Sequence, residues 1–206
     1  MKTRFIINPI AGTGKQKNIT NYINKHFNDY DIVYTKKSGD AKKFSIEAKD
    51  KKFDSIIAVG GDGTLNECVQ ACVNSEIKLG IIPCGSGNGF ANHIGMSSIP
   101  EKAIIQLNNS SILMIDSCIA NKKYFINVSG IGFDAHIANL FSKIKTRGLK
   151  QYIRLIIKEL KYNPKKYTIR YDKKEIHTNA YLIAFANASQ YGNNFHISAE
   201  SKIDDG

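Results

Sequence analysis

Val59-Gly60-Gly61-Asp62-Gly63-Thr64-Leu65-Asn66-Glu67 closes an apolar run, Ser55 to Val59, that reads as a buried strand stopping at two glycines. The residues after it read as the start of a helix. Thr64 and Glu67 have the T-x-x-E spacing of a capping box, in which each side chain satisfies an amide that the helix start leaves open. A strand, a glycine turn and a helix N-terminus together suit an anion. Glycines let the backbone come close, and open amides and the helix dipole favour phosphate. Asp62 sits in the middle of that turn. A carboxylate beside phosphates repels them unless a cation lies between, so Asp62 points to Mg²⁺. The plain alternative is a capped helix with no ligand. Against it stand the acid inside the turn, Asn66-Glu67 behind it and a second glycine cluster downstream, Pro83-Cys84-Gly85-Ser86-Gly87-Asn88-Gly89.

Working outward, Thr3 to Ile7 reads as a first strand ending in Asn8-Pro9-Ile10-Ala11-Gly12-Thr13-Gly14-Lys15, a glycine loop before a helix that runs to about Phe27. This is not a Walker A loop: Gly12 is one residue from Gly14-Lys15, and Gln16 follows in place of Ser or Thr. Asp31 to Thr35 reads as a second strand, with a helix opened by Gly39-Asp40. Lys78 to Ile82 reads as a fourth strand, followed by helices over Phe90 to Ile94 and Pro100 to Leu107. Strand–helix alternation predicts a parallel sheet with helices on its faces, whose ligands bind beyond the C-terminal strand ends. The loops after strands one, three and four all carry glycines, so one crevice can hold all three.

The pattern changes near Asn108 to Ser111, where we place a domain boundary: 1–109 as an α/β domain and 110–206 as a β-rich one. Ile112 to Ala120 and Tyr124 to Val128 are apolar runs around the turn Asn121-Lys122-Lys123. Tyr167 to Tyr171 and Ile176 to Ala186 bracket a turn at Asp172-Lys173-Lys174. This half reads as largely antiparallel, with a helical insertion from about Asp134 to Tyr162.

The chain of 206 residues has ordinary hydrophobic (42%) and charged (23%) fractions for a globular protein. No apolar run reaches the roughly 18 residues that a bilayer span needs, and the N-terminal apolar run is too short for a signal peptide. Cys68, Cys72, Cys84 and Cys118 lack metal-ligand spacing and read as reduced thiols. The net charge of +11 is concentrated between Lys143 and Lys174, where Lys and Arg greatly outnumber Glu159 and Asp172. On a helix from Arg147 to Tyr162, the residues Arg147, Lys150, Arg154, Lys158 and Lys161 form a basic stripe. A solvated helix face is the plain reading and an anionic membrane surface the sharper one. No recognised motif or aromatic platform in the block suits nucleic acid.

The ordered set of motifs resembles the diacylglycerol-kinase-type catalytic domain of soluble bacterial lipid kinases, related to sphingosine and ceramide kinases. More distantly it is similar to NAD kinases and phosphofructokinases. The resemblance rests on Asn8-Pro9 with Gly12, Thr35, Gly39-Asp40-Ala41, Gly60 to Glu67, Gly85-Ser86-Gly87-Asn88 with Phe90-Ala91, Gly130-Ile131-Gly132-Phe133-Asp134, Tyr191-Gly192 and Asp204-Asp205-Gly206. It implies an N-terminal parallel α/β nucleotide-binding domain, NAD kinase/phosphofructokinase-like, followed by an incomplete antiparallel β-sandwich domain that helps form a lipid site. ATP would lie in the cleft between them. By position, Asn8, Gly12, Thr35, Gly60, Gly61, Asp62, Gly63, Thr64, Asn66, Glu67, Gly85 and Ser86 would bind the nucleotide. Asp62 would organise catalytic Mg²⁺ or help activate the acceptor hydroxyl. A structural Mg²⁺ would take the Lys202 carbonyl, the Asp205 side chain and a backbone carbonyl that would lie beyond Gly206.

The implied activity is ATP-dependent phosphorylation of a diacylglycerol-like or sphingoid lipid by a cytoplasmic protein at the inner membrane face. The expected partners are lipid and an anionic surface rather than nucleic acid, with a homodimer left open. Two departures from the family stand out. Many members carry Asp where this chain has Gly89, and its Gly-Ser-Gly-Asn-Gly is closer to the sphingosine-kinase version. Family members also continue past the position of Gly206, through an Asp-Gly-Glu segment whose carboxylate is a proposed general base. The chain therefore reads as C-terminally truncated, a fragment or a natural truncation, with an unpaired, aggregation-prone edge. A kinase of a soluble acceptor such as NAD, and a non-catalytic nucleotide or lipid sensor, stay open as alternatives.

Overall fold

The computed structural model describes residues 1–12, 14–144, 149–171 and 173–206. Thr13, Arg147 of the basic stripe and Asp172 of the second turn lie outside them. Contacts divide the chain into two compact units, residues 1–128 with 186–206, and residues 129–185. Residues 110–128 and 186–206 thus pack with the α/β part of the chain, whereas the sequence reading divides the chain at 109/110.

The first unit is built on four parallel strands, β1 (Thr3–Ile7), β2 (Tyr30–Tyr34), β3 (Ser55–Gly60) and β4 (Lys78–Pro83), in the order β2-β1-β3-β4. Every residue of β1 and β3 is buried. Continuous apolar runs are what central strands covered on both faces require. Between strands lie α1 (Ile19–His26), preceded by a short 3-10 turn at Lys15–Asn18, then α2 (Asp40–Asp50) and α3 (Asp62–Cys72). After β4 come α4 (Gly89–His93) and α5 (Pro100–Asn109). One buried cluster joins Ile6, Ile56, Ala58 and Ile81 to Leu65, Cys68 and Val69 of α3. The other joins Phe5, Ile7, Ile57 and Ile82 to Ile19 and Ile23 of α1 and Ala103 and Ile104 of α5. Strand order reverses between β1 and β3, so a crevice opens beyond their carboxyl ends.

The first unit also holds two antiparallel hairpins. β5 (Cys118–Ala120) pairs with β6 (Lys123–Phe125) through Asn121 and Lys122, both at positive φ as a tight primed turn demands. β11 (Gln190–Gly192) pairs with β12 (Phe195–His196). The expected strand from Ile112 is shorter than its apolar run: Ile112, Leu113 and Met114 are exposed and outside regular structure. The four cysteines are thiols, and burial pushes those of Cys68 and Cys72 up to about 12.

In the second unit, β7 (Val128–Gly132) pairs with β10 (Leu182–Ala186), and β8 (Lys165–Tyr171) pairs antiparallel with β9 (Lys174–Ala180). The run Ile176 to Ala186 breaks at Tyr181 into β9 and β10, which belong to different sheets. The helical insertion is two helices, α6 (Phe133–Ser142) and α7 (Leu149–Lys158). No helix among the described residues is long and apolar enough to cross a membrane.

Candidate active site

The loops after β1, β3 and β4 do converge. The Asn8 amide donates to the Val59 carbonyl (2.9 Å), and the Cys84 amide donates to the Gly60 carbonyl (2.8 Å). These bonds continue the ladders one residue past the strands. Gly12 (φ +56°) lies so close to the Cys84 carbonyl that a Cβ would overlap it. A Cβ on Gly85 would sit 2.5 Å from the Gly61 Cα. Three backbones therefore meet where only glycines permit it. The Gln16 side-chain amide props the first loop by donating to the carbonyls of Asn8 (3.1 Å), Pro9 (2.7 Å) and Ala11 (3.2 Å). Gln16 stands where a Walker A loop has its hydroxyl, and its structural role was not legible from the motif.

The capping box expected for Thr64 and Glu67 is not formed. α3 begins at Asp62 with extended Gly61 as its N-cap, and the Gly61 carbonyl accepts from the Thr64 and Leu65 amides. Thr64 Oγ1 instead accepts from the Asn8 side-chain amide (3.2 Å). The Glu67 carboxylate crosses to α2, accepting from the Gly39 amide (2.9 Å), the Ala41 amide (3.1 Å) and the Ser38 hydroxyl (3.2 Å). A carboxylate there also complements the positive end of α2. Thus Glu67 ties two helices together rather than facing the crevice. Replacing Glu67 with Ala is expected to cost about 1–2 kcal/mol, the scale of a lost N-cap, read as a lower midpoint in urea.

Asp62 is held as firmly. Its Oδ2 accepts from the Gly89 amide (3.0 Å) and its Oδ1 from the Phe90 amide (3.1 Å), so it caps α4 from the first turn of α3. Burial pushes its carboxyl above the ordinary range, and the Gly89 and Phe90 amides pull it back. A carboxyl whose folded pKa is raised binds more protons folded than unfolded. Its ionisation therefore costs stability as pH rises from the ordinary carboxylate range through the raised value. Asp62→Asn carries no such cost. Its melting temperature relative to wild type is expected to climb between about pH 4 and neutrality, as scanned by circular dichroism; a gap that narrows instead would contradict this assignment.

The Gly85–Gly89 loop is clasped from both sides. Asn88, in the left-handed region (φ 55°), accepts from the Gly85 amide and donates to the Gly85 carbonyl, both at 2.9 Å. Gly192 (φ +125°) leaves room for Gly87, whose carbonyl accepts from the Asn193 amide (3.2 Å). A Cβ on Gly89 would lie 2.5 Å from the Gln190 carbonyl oxygen. Here β11 leaves no room for a side chain at residue 89. Thr35, buried, donates its amide to the Ile7 carbonyl (2.9 Å) and so stands at the end of β1.

Asp62 and Asn66 line a cavity of about 80 Å³ with Leu65, Phe125, Ile126, Asn127 and Val128. Asn127 Oδ1 is buried with no hydrogen-bond partner. A buried acceptor without a partner is costly, and a bound water, hydroxyl or hydrated cation would satisfy it. Asn127 was not legible from local motifs, because only the fold brings it beside Asp62.

The residues fit the groups that the sequence implies at this end of the sheet. Nothing lies within 4 Å of where a Gly63 Cβ would be, so that side of the first turn of α3 is open space beside the glycine cradle. Among the described residues no group of three or more His, Cys, Asp or Glu is placed to hold a metal. At the second expected metal position, Lys202 and Asp205 are exposed. The same turn contacts Asp116, whose amide donates to the Ile203 carbonyl (2.6 Å) and whose Oδ2 accepts from the Gly206 amide (2.8 Å).

Comparison with known proteins agrees with this architecture. The diacylglycerol kinase catalytic domain matches residues 2–120, and the YegS C-terminal NAD kinase beta sandwich-like domain matches residues 127–206. A probable lipid kinase YegS-like from Chromohalobacter salexigens is 31% identical over 182 residues, covering 85% of this chain and 58% of the relative. A diacylglycerol kinase from Bacillus subtilis is 32% identical over 178 residues, covering 82% and 58%. The chain thus spans less than two thirds of the length of these relatives. The crystal structure of a putative diacylglycerol kinase from Bacillus anthracis superposes with a TM-score of 0.80 at 28% identity, covering all of this chain and 72% of that one. The chain belongs to the diacylglycerol kinase catalytic domain family.

Proposed function

We propose that the protein is a kinase that transfers the γ-phosphoryl group of ATP to a hydroxyl of a diacylglycerol-like or sphingoid lipid. The observation that carries this reading is the meeting of three glycine loops around the first turn of α3, with Asp62 fixed in that turn. Family membership supports it, as do the names of relatives that are lipid or diacylglycerol kinases.

Phosphoryl transfer needs positioning and charge neutralisation more than covalent chemistry. Backbone amides of Gly60 to Gly63 and the Gly85 loop would hold the β- and γ-phosphates, with Asn8, Gly12, Thr35, Thr64 and Ser86 around them. Asn8 is already bonded to Thr64, which fixes the floor of the crevice. When bound, Mg²⁺ would offset the phosphate charge beside Asp62. The lipid hydroxyl would approach in line, and its proton would pass to a carboxylate, for which Asp62 is the candidate on this chain. Asn66 and Asn127, on the cavity beside Asp62, would orient that hydroxyl or a water.

The test is an acceptor comparison. The protein is given γ-labelled ATP and Mg²⁺ with detergent-dispersed diacylglycerol, with a sphingoid base, or with NAD. Label in a lipid is expected. Label in NAD alone, or in none of the three, would overturn the proposal.

A further inference from the structure

We infer that His93, as a neutral imidazole, is a positioning residue that latches the β11–β12 hairpin onto the Gly85–Gly89 loop, and that acid opens this latch and loosens the phosphate cradle. The inference rests on the reading of that loop as part of the ATP site. His93 is the last residue of α4. Its Nδ1 accepts from the Ser189 amide (3.2 Å) and lies 2.8 Å from the Ser189 hydroxyl. An amide nitrogen can only donate, so Nδ1 carries no proton and the ring proton sits on Nε2. Ser189 is buried at the root of the hairpin, and its carbonyl accepts from the Ile197 (3.0 Å) and Ser198 (3.2 Å) amides. The tip of the hairpin grips the loop: Gly192 bridges to Asn88, and the Asn193 amide donates to the Gly87 carbonyl (3.2 Å). The Asn92 side-chain amide, next to His93, donates to the same carbonyl (3.2 Å). α4 is thus fixed by Asp62 at its start and by Ser189 at its end.

Protonation reverses this contact. A proton on Nδ1 sets one donor against another. The Ser189 hydroxyl can turn to accept it, but the amide cannot, and it is left buried without its acceptor. Burial, and after it the His196 imidazole, hold His93 below the ordinary histidine range. Such a group binds fewer protons folded than unfolded, so the closed latch loses stability as pH falls from the ordinary imidazole value towards the lowered one. Of the elements packed on α4, α3 offers Asp62, bonded at the far end of the helix, and Glu67, bonded to α2. β4 carries only Lys78, at its start, and β11 carries Tyr191. His196 on β12 adds positive charge beside the ring when it too is protonated.

Calorimetric titration with a non-hydrolysable ATP analogue and Mg²⁺, in steps between about pH 7.5 and pH 5, compares wild type with His93→Asn and His196→Gln. Titration of the nucleotide itself is common to all three and cancels in their ratios. His93→Asn puts an uncharged acceptor near the place of Nδ1. Wild-type affinity is expected to fall at least about threefold relative to His93→Asn over this range, and His196→Gln to fall nearly as much as wild type. Nitrogen NMR without nucleotide is expected to show Nδ1 of His93 bare at neutral pH, with the Ser189 and Asn193 amide signals moving at the midpoint of its titration. A flat affinity ratio, or a slope that His196 carries, would overturn the inference. So would a His93 ring that titrates without moving those two amides. Amides that move with the ring, beside an analogue that binds none of the three proteins at any pH, would leave the latch standing and remove the ATP reading.

Discussion

Asp62→Asn is expected to lower phosphoryl transfer at least about 10³-fold, the scale of losing a group that stabilises transition-state charge, while the protein stays folded. The substitution removes the one negative charge at the first turn of α3 and leaves the shape of the side chain. Asn can accept from only one of the Gly89 and Phe90 amides, so α4 loses one of its two bonds to residue 62. A loss of that kind costs about 1–3 kcal/mol, and removal of a buried charge works in the opposite direction. Stability should therefore change little near neutrality, whereas activity collapses. The check is labelled transfer from ATP at saturating Mg²⁺, run beside a thermal melt of each protein. Activity within a few-fold of wild type would remove Asp62 from the chemistry.

The second large effect belongs to Gly85. A Cβ there would stand 2.5 Å from the Gly61 Cα and 2.6 Å from Asn88 Oδ1. The obstacle is backbone, which cannot rotate away as a flexible side chain does. Gly85→Ala must push apart the loops after β3 and β4 and disturb the Asn88 turn that closes on Gly85. We expect a stability loss of about 1–3 kcal/mol, as for overpacking. ATP affinity should fall at least about tenfold, since phosphate positioning depends on both loops. Gly63→Ala is the contrast. Its Cβ would meet nothing within 4 Å, and alanine favours a helical first turn by up to about 1 kcal/mol. That variant should fold at least as well as wild type. Calorimetric titration with ATP and urea unfolding of the two variants check both expectations.

What was legible in the sequence follows from where the information lies. The bounds of β1 and the start of β3 are read correctly because each strand carries an apolar run, Phe5 to Ile7 and Ile56 to Val59, and is buried throughout. The parallel sheet and the convergence of three glycine loops follow from the same alternation. The start of α3 was misplaced because local spacing favours Thr64 as a cap, whereas Gly61 takes that position and Thr64 turns to Asn8. The bonds of Glu67 to Gly39 and Ala41 span 28 and 26 residues of sequence, beyond the reach of any four-residue motif. Ile112 to Met114 show the limit of apolarity alone, since a run without a partner forms no strand. Asn127, Asp116 and Gln16 act through neighbours that only the folded chain supplies. Gly89 is the reverse case: its departure from the family was visible in the sequence, but its reason, the Gln190 carbonyl, was not.

The most direct test of the phosphate-binding account is a crystal structure of the protein with a non-hydrolysable ATP analogue and Mg²⁺. The β- and γ-phosphates should lie at the N-terminus of α3, over Gly63, within hydrogen-bond reach of amides from Gly60 to Gly63 and from the Gly85 loop. The metal should lie on the Asp62 side. Phosphates bound away from the carboxyl ends of β1, β3 and β4, or a metal remote from Asp62, would contradict the account.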